Sequence, residues 1–178
     1  MIADSAADDY FAVSDRIGLR TFAPQDVDVF LEYRNDPEVA RLQGWELPYG
    51  REQAEAFIRD LEVTPLGTQG EWHQLAVVDL STGVTVGDVG ICVSEADKSR
   101  AEIGYTVAHA HQGKGYATEA VRLLLDLAFD KVGVGQVIAH ALPDNLPSRR
   151  VAEKVGMVLT PQLVEFEGAS LVKYVIEG

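Results

Sequence analysis

The stretch Gln112-Gly113-Lys114-Gly115-Tyr116-Ala117 decides the fold of this chain. It lies between a strand-like segment, residues 102–107, and a helix-like segment, residues 119–131. Glycine lets the main chain approach a ligand closely, and the first turn of a helix has N–H groups without partners inside the helix. With the positive end of the helix dipole, these groups predict a diphosphate site. The alternative is that two glycines only turn the chain into a helix.

The length and composition predict one globular domain. The chain has 178 residues, of which 47% are hydrophobic, enough for one core without a metal or disulfide. Residues 1–15 are rich in Ala, Asp and Ser and are predicted to be a loosely ordered leader, followed by a single domain over residues 16–178. A lone cysteine, no apolar stretch of about 20 residues and no signal pattern predict a cytoplasmic protein with no membrane partner.

The net charge of the chain indicates which class of partner it can bind. A net charge of −13 argues against nucleic acid, because binding a phosphate backbone depends on Lys and Arg. An amine-bearing partner is favoured, although surplus acid often serves only solubility. His73 and His140 fall on separate predicted strands without ligand-like spacing, so we predict no metal site.

The order of elements predicts a mixed sheet flanked by helices. A half-buried strand at residues 17–22 precedes helices opening at Pro24 and spanning residues 52–61. Three strands with short links, residues 72–79, 85–94 and 101–108, predict an antiparallel meander. The strand at residues 136–141 follows the long helix, which favours a parallel pair with a right-handed crossover. A helix at residues 146–155 and a hairpin over residues 157–176 complete the chain.

Several motifs in this order resemble the GCN5-related N-acetyltransferase (GNAT) superfamily. They are the Gln-x-x-Gly-x-Ala loop at residues 112–117, Asn145-x-x-Ser148, and Glu-Lys-Val-Gly-Met at residues 153–157. Leu19-Arg20, Asn-Asp-Pro at residues 35–37 and Glu-Ile-Gly-Tyr at residues 102–105 look most like the branch of ribosomal-protein alanine N-acetyltransferases. The resemblance covers nearly the whole chain from Ile17 onward.

The resemblance implies an α+β fold and a donor site for acetyl-CoA. The fold would be a mostly antiparallel sheet of about seven strands, with a splayed parallel pair in its middle that receives the pantetheine arm. Main-chain groups near Thr106 and Val107 would hold that arm, and the Val107 N–H would polarise the thioester carbonyl. Asn145 would fix the cofactor and the start of its helix. The diphosphate would lie on Gln112, Gly113, Lys114, Gly115, Tyr116 and Ala117.

Two residues are the catalytic candidates. Glu102 shares a strand face with Gly104 and Thr106 and is predicted to accept the amine proton, with a solvated carboxylate as the alternative. Many family members have a tyrosine acid where this chain has Ala152, so Ser148 becomes the predicted hydrogen-bond donor to the departing thiolate. For Asn145 and Ser148 the competing interpretation is ordinary helix capping.

The predicted activity is acetyl transfer from acetyl-CoA to a primary amine by direct attack, since no activated Cys or Ser nucleophile is evident. The acceptor is a protein N-terminus or a small-molecule amine, in a pocket that Trp45, Tyr49 and Trp72 would line. A larger acyl group such as succinyl, or a CoA-binding sensor without turnover, are the alternatives. A Rossmann module is disfavoured because the loop follows antiparallel strands. A homodimer is plausible from the strand-rich C-terminus.

Overall fold

The computed structural model describes residues 9–43 and 45–178, which fold around one sheet. The sheet has the order β1-β2-β3-β4-β5-β6-β8-β7, and every neighbouring pair is antiparallel except β5 and β6. This confirms the predicted mostly antiparallel class with one parallel pair. The strands are β1 (Ala12–Val13), β2 (Ile17–Thr21), β3 (Trp72–Asp79), β4 (Val84–Val93), β5 (Arg100–Val107), β6 (Gln136–Ala141), β7 (Val158–Phe166) and β8 (Ala169–Glu177).

The eighth strand comes from the predicted leader. Ala12 and Val13 pair with Leu19 and Gly18 of β2, so this part of the leader belongs to the sheet. Its main-chain groups find partners on the edge of β2, which a composition rich in Ala and Asp does not reveal. Residues 1–8 of the predicted leader lie outside the described residues.

Helices cover both faces of the sheet. They are α1 (Val27–Arg34), α2 (Pro37–Ala40), α3 (Arg51–Val63), α4 (Tyr116–Asp126) and α5 (Leu146–Lys154). Successive strand residues point to opposite faces: Ala76 and Val78 of β3 pack with the core of α1 and α3, whereas Leu75 and Val77 pack with the core that contains α4. Within the described residues, no helix has the length and apolar character that a membrane span requires.

The long helix differs from the prediction at its C-terminal end. The α-helix ends at Asp126 and continues as one π-helical stretch, Leu127–Val132. Gly133 then ends it with φ +81°, a conformation that glycine adopts without strain.

The parallel pair opens in the middle of the sheet. Its ladder joins Arg100, Ala101, Glu102 and Ile103 to residues 136–139 and ends there, although both strands continue. The remaining residues of β5 stay paired with β4, from Gly104 opposite Gly90 to Val107 opposite Gly87. The strands β5 and β6 therefore diverge in a splay, and this splay positions the site.

Candidate active site

A cleft of about 510 Å³ lies at the splay. Its walls come from β5, β6, the glycine loop, the start of α4, α5 and the segment around α2. The lining residues are Glu38, Val39, Leu42, Gln43, Ile103, Gly104, Tyr105, Thr106, Val107, His111, Gln112, Gly113, Gly115, Tyr116, Ala117, Thr118, His140, Ala141, Asn145, Pro147, Ser148, Arg150, Val151 and Lys154.

The main chain of β5 offers hydrogen-bonding groups to this cleft. The Ala108 N–H donates to the Val86 carbonyl of the β4 segment at 2.9 Å. Because hydrogen-bonded and non-bonded pairs alternate along an antiparallel ladder, Thr106 directs its main-chain groups toward β4. Tyr105 and Val107 direct theirs toward the splay, where β6 no longer pairs. The main-chain groups left without a strand partner thus belong to Tyr105 and Val107, whereas Thr106 lines the cleft with a buried side chain.

One of the free groups already has a partner. The Gln112 side-chain amide donates to the Val107 carbonyl at 3.0 Å. This bond ties the glycine loop to the end of β5 and leaves the Val107 N–H as the donor that faces the splay.

The glycine loop is built for backbone approach. Gly113 and Gly115 have φ of +75° and +87°, which L-residues with side chains rarely adopt. Gly115 is the N-cap of α4 and has no side chain to cap it, so the N–H groups of the first turn remain available to an anion. Tyr116 and Ala117 line the cleft beside Gly115, as does Thr118, which the sequence analysis missed.

Lys114 is the one residue of the predicted loop that lies outside the cleft lining. Its ammonium donates to the Ala110 carbonyl at 3.0 Å, and its own carbonyl accepts from Arg16 at 3.2 Å. Arg16 also donates to Glu119 of α4, at 2.8 Å through Nε. Although burial opposes it, hydrogen bonds from Ser14 and Arg16 lower the pKa of Glu119. The β1–β2 turn therefore stabilises the glycine loop through the hydrogen bonds of Arg16.

Glu102 is connected to the cleft by a contact with the His140 side chain. Its carboxylate lies outside the lining, but it is 2.8 Å from the Nδ1 atom of His140, which lines the cleft from β6. The Glu102 side chain is 37% exposed and that of His140 is 16% exposed. This Glu102–His140 pair bridges β5 and β6 just as their ladder ends.

The start of α5 forms another part of the cleft. The Asn145 side chain accepts from the Ser148 N–H at 3.2 Å, so Asn145 caps the helix, and both residues line the cleft. The Ser148 hydroxyl donates to the Tyr105 hydroxyl oxygen at 3.0 Å, and the Tyr105 hydroxyl bonds to the Ser148 carbonyl at 2.9 Å. Burial raises the pKa of Tyr105, against the effect of the Ser148 bond. Ala152 is buried in the core beneath.

The face of the sheet that carries Glu102 and Thr106 also contains an aromatic and charged cluster. Arg34 lies over the Trp45 ring at 3.9 Å and over Phe30 at 4.7 Å, and is 3.5 Å from the buried carboxylate of Asp88. The Trp45 indole donates to the Arg34 carbonyl at 2.9 Å. Trp45 and Tyr49 thus pack around Arg34, outside the lining of the cleft.

Trp72 lies at the edge, or rim, of the cleft: it is outside the lining residues but packs on Gly104, which lines the cleft. It is 42% exposed, and its indole lies 3.3 and 3.8 Å from the points where Cβ atoms would stand on Gly90 and Gly104. Two facing glycines make room for the ring. Since Gly104 also lines the cleft, Trp72 borders it on the face that carries Glu102.

The sequence predicts the motifs better than it predicts the contacts between them. Tyr105 and His140 fall on predicted strands, but each contacts a residue about 40 positions away in sequence, which no local pattern indicates. The Asp36 cap and Pro37 were a signal for α2, but nothing in the sequence placed this helix at the cleft. Within the described ranges, no three His, Cys, Asp or Glu side chains cluster as metal ligands would.

Comparison with known proteins agrees with this geometry. The model of the acetyltransferase (GNAT) domain matches residues 16–158. An uncharacterized N-acetyltransferase p20 of Bacillus licheniformis is 28% identical over 156 residues, 88% of this chain and 86% of that protein.

Two solved structures share the fold. A ribosomal L7/L12 alpha-N-protein acetyltransferase in complex with coenzyme A superposes with a TM-score of 0.77 at 16% identity, covering 94% of this chain and 97% of that one. The spermidine N-acetyltransferase of Vibrio cholerae, in complex with CoA and spermine, gives a TM-score of 0.78 at 19% identity, covering 92% and 96%. The splay, the glycine loop and the family match lead to one conclusion: this chain belongs to the GNAT family of acetyltransferases.

Proposed function

We propose that this acetyl-CoA-dependent N-acetyltransferase acetylates a primary amine by direct attack, with donor and acceptor bound together in the cleft. The observation that carries the proposal is the splay, because it leaves main-chain groups of β5 unpaired directly beside an uncapped helix N-terminus. A chain of amides followed by a diphosphate matches this pair of features.

The donor side fits CoA although Lys114, the charged residue of the loop, lies outside the cleft lining. Gly113 and Gly115 bring the main chain to the ligand, and the Val107 N–H faces the splay, where it would polarise a carbonyl. Bound acetyl-CoA supplies an activated acyl group as a thioester. The protein residues Tyr105, Val107 and Gln112 would orient it, and the α4 N-terminus would take its diphosphate.

The acceptor side supplies a base. We propose that Glu102 takes the amine proton, directly or through water, while the 2.8 Å contact with His140 holds the carboxylate at the splay. Ser148 lies across the cleft on α5 and would donate a hydrogen bond to the departing sulfur.

The acceptor is a cationic amine in its resting form. The net charge of −13 favours such a partner in diffusional encounter. Trp72 at the rim presents an aromatic face to an amine. Two acceptor classes stay in the proposal: a protein N-terminus, the class in the name of the L7/L12 enzyme, and a small polyamine, the class in the name of the Vibrio enzyme.

The test is thiol release. Purified protein is mixed with acetyl-CoA and each member of a panel containing N-terminal peptides, polyamines, aminoglycosides and amino acids, and free thiol is measured. We expect release with at least one amine and an N-acetylated product by mass. Faster release with succinyl-CoA than with acetyl-CoA would identify a larger acyl group. Thermal stabilisation by CoA with no release for any amine would overturn transfer and favour a sensor.

We also propose that the protein is cytoplasmic and that it forms a homodimer. The edge strand β7 exposes Val158, Leu163 and Phe166, which are 69%, 59% and 58% exposed. An apolar edge strand is prone to pairing with another chain. Light scattering during gel filtration would give the oligomeric state, and a monomeric mass would exclude the dimer.

A further inference from the structure

A phenol from β5 contacts the Ser148 hydroxyl at the cleft. Tyr105 and Ser148 are 43 residues apart in sequence. Their two hydroxyl oxygens are 3.0 Å apart, and the Tyr105 hydroxyl is also 2.9 Å from the Ser148 carbonyl oxygen. Both residues line the cleft. The Tyr105 hydroxyl therefore bonds to two oxygens of the same residue: it accepts from the Ser148 hydroxyl and donates to the Ser148 carbonyl.

The position where the resemblance implies a tyrosine acid cannot supply a proton in this chain. Ala152 is 1% exposed and packs in the main core. A methyl group neither donates nor accepts a hydrogen bond, so any phenol at this site must come from another element. The structure places one on β5.

We propose that Tyr105 is a positioning residue that turns the Ser148 hydroxyl toward the departing sulfur of CoA. This inference rests on the proposed function. Each hydroxyl has a single proton that rotates about its C–O bond. When the Tyr105 hydroxyl donates to Ser148 Oγ instead of to the Ser148 carbonyl, the Ser148 O–H no longer donates to Tyr105. The Ser148 hydroxyl can then rotate so that its proton points into the cleft. Two hydroxyls in series then donate toward sulfur, and each bond polarises the next.

The transfer step needs no other reactant. The resting ammonium first loses one proton to solvent, and the neutral amine nitrogen then forms a bond to the acyl carbon while the C–S bond breaks with its electron pair going to sulfur. The second proton, which leaves the nitrogen as the amide forms, goes to Glu102, directly or through water, and from there to solvent. Sulfur leaves as a thiolate that accepts the Ser148 hydrogen bond, and water protonates it after release. Tyr105 keeps its own proton throughout.

The environment of Tyr105 suits a donor that stays neutral. Burial raises the pKa of its hydroxyl, with the Ser148 bond opposing and the nearby Tyr174 adding to the rise. The phenol is therefore protonated at neutral pH. Other titratable groups approach this region from β6, β8 and α5: His140, Arg150 and Lys154 line the cleft, and Arg149 and Glu153 bond to the Tyr174 hydroxyl.

Tyr174 provides a matched control. It is a buried phenol on β8 that accepts from Arg149 at 3.1 Å and donates to Glu153 at 3.0 Å, both on α5. It lies outside the lining of the cleft. Tyr174→Phe therefore removes a buried hydroxyl that bonds to the same helix, without touching Ser148.

The decisive measurement does not need turnover. The thiol of bound CoA is titrated by the ultraviolet absorbance of its thiolate, in the wild type, Tyr105→Phe, Ser148→Ala, the double variant and Tyr174→Phe. Hydrogen bonds to a thiolate lower the pKa of the thiol. We expect the bound thiol to titrate below free CoA in the wild type and roughly one pH unit higher in Tyr105→Phe. Tyr174→Phe should match the wild type.

Kinetics give the second readout. Tyr105→Phe should lower kcat about tenfold with the KM for acetyl-CoA unchanged. In the Ser148→Ala background it should have no further effect, because Tyr105 acts through Ser148. An unchanged thiol titration in Tyr105→Phe, independent effects of the two substitutions, or an equal effect of Tyr174→Phe would overturn the inference. If Tyr105→Phe does not fold, Tyr105→Met is measured in the same way.

The same data separate this inference from the proposed function. A wild type that binds CoA with a lowered thiol pKa but acetylates no amine would overturn transfer and leave the Tyr105–Ser148 contact with sulfur intact. A wild type that acetylates an amine while its thiol titration is insensitive to Tyr105 would overturn the inference alone.

Discussion

The two sides of the cleft are built from different parts of the chain. The donor side consists of main chain: the end of β5, the loop at residues 112–117 and the first turn of α4. The proposed acceptor side consists of side chains such as Trp72, Glu102 and His140. A main-chain site depends on a few conformations that only glycine tolerates, so it leaves a motif. A side-chain site depends on contacts between distant segments, so it leaves almost none.

The largest expected effect is on the donor side. Gly115→Val places a branched side chain at φ +87° and at the uncapped end of α4. We expect the affinity for CoA to fall by at least about a hundredfold, or about 2.7 kcal/mol, measured by calorimetry. Gly168→Val is the control, because Gly168 has φ +83° in the β7–β8 hairpin, with open space around it. Equal loss of affinity in both variants would show that backbone strain, and not loss of the diphosphate site, causes the loss of CoA affinity.

The next effect separates the acceptor side from the donor side. Glu102→Gln removes the proposed base, and His140→Gln removes the group 2.8 Å from it. We expect kcat to fall about a hundredfold in the first and less in the second, with CoA affinity unchanged in both. The pH profile of kcat should also change shape. Glu62→Gln, an exposed site on α3, is the control, and an unaltered kcat in Glu102→Gln would remove Glu102 from the mechanism.

A smaller effect is expected at the rim. Trp72→Ala removes the indole that lies on Gly90 and Gly104. We expect the KM for the amine to rise about fivefold and the KM for acetyl-CoA to stay constant. Steady-state kinetics in both substrates gives the answer, and Trp45→Phe is the comparison, because the Trp45 ring packs on Arg34, which is outside the cleft lining. A rise in the KM for acetyl-CoA would instead place Trp72 on the donor side.

The smallest expected effect is a change in how the free energy of unfolding depends on pH. Arg20, the Ala23 N–H and Thr85 outweigh burial and lower the pKa of Asp26, whereas burial raises the pKa of Asp88 against Arg34 and Tyr33. The stabilisation from Asp26 is present above its unfolded pKa of about 3.9 and is lost as pH falls through the folded value. That from Asp88 is present below about pH 3.9 and is lost as pH rises through its folded value.

Urea unfolding between about pH 3 and pH 8 tests this contrast. The deficit of Asp26→Asn relative to the wild type should shrink toward low pH. That of Asp88→Asn should shrink toward high pH, since asparagine avoids the buried charge. Parallel curves for the two variants would contradict the opposite shifts.

Particular residues show how far the sequence reaches. The strands from β3 to β6, the parallel pair and the cap at Asn145 were predicted, because alternation, glycine and capping residues act over a few neighbours. The strand at Ala12–Val13 was not predicted, since it depends on pairing with the edge of β2 and on packing against the main core, which are tertiary contacts. Lys114 was placed with the phosphate site but bonds back to Ala110.

By itself, the sequence determined the elements of the proposed donor side: the glycine loop, the helix that follows it and the class of sheet that holds them, all set by local conformational preference and hydrophobic period. The tertiary structure alone decided which side chains meet across the splay. It joined His140 to Glu102, Tyr105 to Ser148 and Trp72 to Gly104. Each of these contacts depends on strand register and helix packing, which are properties of the whole fold and not of any segment.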